Sequence, residues 1–74
     1  MKISLKKSDV NTYDVFLIDC SNPQFLGVFE MMIPENRFYF SAELYNTTYW
    51  SEYTMKLIYT ALHELNNEII IKAN

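Results

Sequence analysis

The chain has 74 residues, half of them hydrophobic, and a net charge of −3. That length sets a single domain, residues 1–74, able to bury only ~60% of its unfolded surface. Cys20 and His63 are the only residues of their kinds, which excludes an internal disulfide and a Cys/His metal cluster.

The first segment, MKISLKK (residues 1–7), places Met1, Ile3 and Leu5 on one side and Lys2, Ser4 and Lys6 on the other. This period of two predicts a half-buried strand. Ser8, Asp9, Asn11 and Thr12 then supply turn chemistry. YDVFLIDC (13–20) is apolar on both sides, with Tyr13, Val15 and Leu17 against Phe16 and Ile18. Such a strand is central in a sheet, or has one face in an interface. Ser21-Asn22-Pro23-Gln24 breaks it. FLGVFEMMI (25–33) has a strand's length, and Gly27 within it marks a bulge or a close approach of another segment. Pro34-Glu35-Asn36 connects it to RFYFSAELY (37–45), where Phe38, Phe40, Ala42 and Leu44 alternate with Arg37, Tyr39, Ser41, Glu43 and Tyr45. The short connection predicts an antiparallel hairpin.

The next stretch changes period. Trp50, Thr54, Leu57, Ile58, Ala61, Leu62 and Leu65 form one stripe of an amphipathic helix, with Glu52, Lys56, Thr60, His63 and Glu64 on its other side. Thr48 or Ser51 can cap its start. Asn66-Asn67 is expected to stop it, because Asn tolerates the left-handed C-cap conformation. EIIIKA (68–73) is then expected to be a strand, from its three consecutive isoleucines. The expected fold is α+β: a small antiparallel sheet of four or five strands packed on one C-terminal amphipathic helix, in the order β-β-β-β-α-β.

The junction YNTTYWSEYT (45–54) concentrates ring area where connections are normally polar. Trp50 anchors the helix start, either on the core stripe or as a staple against Met55. Tyr45, Tyr49, Tyr53 and Tyr59 are harder to bury. With Tyr39 and Glu43 on the preceding strand they make a ring-rich, charge-bordered surface of the kind found at protein interfaces. The expected partner-binding residues are Tyr39, Glu43, Tyr45, Tyr49, Glu52 and Tyr53.

Charge narrows the partner. Lys2, Lys6 and Lys7 lie at the N-terminus, whereas Asp9, Asp14, Asp19, Glu30, Glu35, Glu43 and Glu52 face Arg37 alone between residues 8 and 55, a net of −6. Such a body repels a phosphate backbone, so direct nucleic-acid binding is not expected. A protein partner with a basic or nucleic-acid-binding surface is. No apolar stretch reaches the ~18 residues of a membrane span and no signal-peptide pattern is present, so no membrane contact is expected and the cytoplasm is the expected location. Catalytic and metal-binding residues are not expected either. His63 stands alone, Cys20 adjoins Asp19 rather than a cation, and Asp14 and Asp19 project from opposite faces of a strand. No nucleotide or other cofactor motif occurs. The expectation is a protein that is not an enzyme.

A short acidic chain with a small antiparallel sheet and one amphipathic helix resembles small phage-encoded inhibitors of bacterial defence, the anti-CRISPR-type proteins. The passage FYFSAELY into a helix carrying LHELNN is also similar to small toxin-immunity proteins. The first resemblance implies inhibition of a protein partner by occlusion, the acidic body filling a site that otherwise takes phosphates. The alternative expectation is a homodimer, or higher homo-oligomer, built on the doubly apolar strand.

Overall fold

Antiparallel strands joined by short connections pair with their chain neighbours, and this chain does so throughout. A computed structural model describes residues 1–19, 23–43 and 51–73, with side chains through residue 68. Its elements are β1 (Lys2–Asp9), β2 (Thr12–Ile18), β3 (Gln24–Met32), β4 (Arg37–Ala42) and α1 (Glu52–Ala73). The four strands form one antiparallel sheet in the order β1-β2-β3-β4, and α1 covers one face. This is the α+β arrangement expected of the sequence.

Alternation decides which side chains meet the helix. Register places Ile3 opposite Leu17, Leu5 opposite Val15, Tyr13 opposite Phe29, and Phe29 opposite Phe40 on one face. Val15, Leu17, Leu26, Phe29 and Phe38 from the sheet join Ile58 from α1 in the buried core. Burying side chains of this size contributes about 1.5–3 kcal/mol each. The rings pack edge to face: Tyr13 with Phe38 at 5.6 Å and Phe29 with Phe40 at 5.8 Å between centroids. On the other face Phe16 meets Phe25 at 5.6 Å.

Gly27 is where the sheet departs from regularity. The β2–β3 register shifts between Val15 and Phe16, leaving Leu26 as the extra residue. Gly27 has φ +151°, and a Cβ there would overlap the Ser41 carbonyl oxygen. The bulge lets Leu26 point into the core, fully buried, while its carbonyl accepts from the Glu43 N–H at 2.9 Å. The β3–β4 turn closes through the Asn36 N–H to the Met32 carbonyl at 2.8 Å, with Asn36 left-handed at φ 58°.

Ser51 caps the helix: its Oγ accepts from the Thr54 N–H at 3.1 Å, and its carbonyl accepts from the Met55 N–H at 3.1 Å. Thr48 and Trp50 lie outside the described residues. At the other end the structure corrects the sequence reading. Asn66-Asn67 does not stop the helix, and residues 68–73 are not a strand; α1 runs on to Ala73. The Asn66 side chain is buried against β4. Its Oδ1 accepts from the Phe38 N–H at 2.8 Å and its Nδ2 donates to the Phe38 carbonyl at 3.2 Å. An amide held this way is part of the helix face, not a cap. Beyond it, each isoleucine lowers helix propensity by only a few tenths of a kcal/mol, and a helix already nucleated extends cheaply.

Candidate functional site

An amphipathic helix laid on a sheet leaves a seam along each flank. On the β4 side, Met55, Tyr59 and His63 succeed one another at i, i+4 and i+8, so they stack along one flank of α1. Beneath them Phe40, Ile58 and Leu62 complete an apolar groove of about 280 Å³ with Met55 and Tyr59. Tyr59 is 65% exposed and Met55 48%. The groove continues past Tyr59 and Leu62 into a second hollow of about 230 Å³, reached by Arg37, Tyr39, His63 and Asn66. The Tyr59 ring stacks on His63 at 5.7 Å and 12° between planes, and Asn67 Nδ2 lies 3.2 Å from His63 Nε2.

Arg37 and His63 line the second hollow, and acidic residues lie near the ends of the elements that form the trough. Glu52 opens α1 at its foot, where a negative charge also complements the helix dipole. Glu35 and Glu43 lie at the two ends of β4, with Arg37 as the cation between them. The Tyr39 hydroxyl donates to Glu35 Oε2. This hydrogen bond, followed by desolvation and the Glu35 charge, raises the Tyr39 pKa above the ordinary tyrosine value.

The structure divides the surface that the sequence suggested. Tyr39 sits on β4, 45% exposed and opposite Glu30 in register. Glu43 follows β4 and is half-buried. Tyr53, 52% exposed, lies on the far flank of α1, in the β1 seam with Lys2, Ile3, Lys56 and Leu57. Glu52 stands at the helix foot. Tyr39 and Glu43 therefore do not share a flank with Tyr53, and Tyr45 and Tyr49 lie outside the described residues. Of the groove residues, Met55 and Phe40 were not expected in a binding surface, and Tyr59 was expected in the ring-rich surface but not among the six partner-binding residues. The i, i+4 spacing of Met55, Tyr59 and His63 was the available signal, but the side of the helix it serves depends on which strand lies beside it.

Among the described residues no cluster of three or more His, Cys, Asp and Glu side chains is placed to hold a metal ion, and no helix is long and apolar enough to cross a membrane. Compared with known proteins, the chain matches no family model, no curated protein and no solved structure.

Proposed function

We propose that this chain is a small, non-catalytic binding protein that inhibits a protein partner by occlusion, docking through the β4–α1 groove. The observation that carries this reading is the apolar trough of Phe40, Met55, Ile58, Tyr59 and Leu62, with Met55 and Tyr59 exposed at its rim. A contiguous apolar patch bordered by charge is the usual anatomy of a protein–protein contact, and Tyr is among the residues most often found at its energetic centre. The acidic excess favours a partner with a basic surface, such as a nucleic-acid-binding enzyme, met in the cytoplasm. The chain would fill the site that takes phosphates in that partner, in the manner of the phage-encoded anti-defence inhibitors it resembles.

The test is a charge reversal. A variant with Glu30, Glu43 and Glu52 changed to Lys should keep the far-UV circular dichroism of the wild type, because Glu30 and Glu52 are exposed and Glu43 only half-buried. Immobilised beside the wild type in lysate of the cell that encodes the chain, it should fail to retain the basic partner that the wild type holds. Equal retention by the folded variant would overturn the electrostatic part of this reading.

A further inference from the structure

We propose that the outer edge of β1 is a second docking site, which takes an extended acidic segment of a protein partner as a fifth strand of the sheet. The two edges of the sheet are not equivalent. On β4 the outward N–H and C=O of Phe38 are both engaged by the Asn66 amide, which removes one outward donor–acceptor pair from that edge. On β1, eight residues long, no backbone group on the outer side has a partner among the described residues. Alternate residues of such an edge present a donor and an acceptor outward, the template on which strand addition is built.

Charge identifies the occupant. Lys2, Lys6 and Lys7 lie on β1, and Lys56 faces the same seam from α1. Together they are four of the six cations in a chain whose net charge is −3. Three lysines against Asp9 give β1 a net positive charge, which disfavours pairing with a second copy. Of these, Lys2 and Lys6 project away from α1, across from Ile18 and Asp14, and attract acidic side chains on that face. The seam supplies the apolar half of the recognition. Between β1 and α1 lies a hollow of about 430 Å³ with Ile3, Leu57 and Ala61 in its wall and Tyr53, Lys2 and Lys56 around it. It is followed by one of about 290 Å³ lined by Leu5, Tyr13 and Leu65, where Glu64 and Glu68 also stand. A strand added to β1 alternates its side chains. Those on the helix side enter these hollows and must be apolar, since Glu64 and Glu68 repel acids there. Those on the other side lie beside Lys2 and Lys6 and should be acidic. The site is on the flank of α1 opposite the β4 groove and does not depend on it.

The probe is a synthetic peptide of about eight residues, matched to β1 in length, in which Glu alternates with Val. A second peptide with Lys in place of Glu is the control. Titrated into the ¹⁵N-labelled full chain, the Glu peptide should shift the amides of β1 and of Leu57 and Ala61, and slow hydrogen exchange at alternate β1 residues. Its affinity should fall with added salt. It should fall by about tenfold in a Lys2→Glu/Lys6→Glu variant, whose changes are on exposed side chains. Shifts centred elsewhere, no shifts at about millimolar peptide, or an equal response to the Lys peptide would overturn the proposal. So would β1 protection that grows with protein concentration before peptide is added, which would make the occupant a second copy. The salt titration uses the wild type alone, so the proposal stays open to refutation even if the variant folds poorly.

Discussion

Gly27 holds a backbone conformation that L side chains rarely adopt, against a carbonyl that cannot rotate away. Gly27→Ala should therefore destabilise the fold by more than about 2 kcal/mol, lowering the thermal midpoint by roughly 10 °C or more in a domain of this size. A melt followed by circular dichroism that matched wild type would show that the bulge relaxes. Asn66 makes the complementary case. Asn66→Ala leaves the Phe38 N–H and C=O at a buried edge without the side-chain partners they now have. The expected loss is about 1–3 kcal/mol, measured by urea unfolding at unchanged slope. The role of Gly27 was legible because glycine is the residue that such a position requires. That of Asn66 was not, because its partner lies 28 positions away in the chain and local rules show only that Asn can end a helix. Tyr39 sets a pH prediction. Its native pKa is raised above 10.0, so the folded state holds this proton more tightly than the unfolded one. The resulting stability is complete below about pH 10 and is lost as pH rises through the native value. Tyr39→Phe should lack that contribution at neutral pH and therefore show a flatter alkaline profile than the wild type; an unchanged alkaline profile in the variant would contradict the Glu35 pairing.

At the scale of elements, period carried most of the information. The alternation of residues 1–7 and 37–42 and the stripe from Thr54 to Leu65 each matched the element found, because burial on one face imposes its period on the sequence. The run EIIIKA had no period to read. Three β-branched residues favour a strand locally, but a strand also needs an edge to pair with, and neither edge of the sheet receives this segment. Backbone chemical shifts should accordingly be helical from Glu52 through Ala73. Strand-like shifts after Asn67 would return the segment to the sheet. The candidate groove was half legible for a related reason. Helical spacing groups Met55 with Tyr59 and separates both from Tyr53, yet only the placement of β4 shows which group faces an apolar wall.

Across the whole molecule, helix and sheet divide the surface by chemistry. The β4 flank of α1 is an apolar groove that leads to Arg37 and His63, and the β1 flank mixes Lys2 and Lys56 with Glu64 and Glu68. Partner binding through the first should weaken as salt rises, since its rim is charged and exposed, but should not vanish, since its centre is apolar. The central claim is that the β4–α1 groove is the docking surface, and the most direct measurement is capture by groove variants. The wild type, a Met55→Ser/Tyr59→Ala variant and a Val10→Ser control, altered at a still more exposed apolar residue on a hairpin tip, would be immobilised in lysate of the cell that encodes the chain. Folding of each would be confirmed by circular dichroism. The account predicts a stoichiometric partner held by the wild type and the Val10 control and lost from the groove variant. Retention by the folded groove variant, or no partner on any of the three, would contradict it.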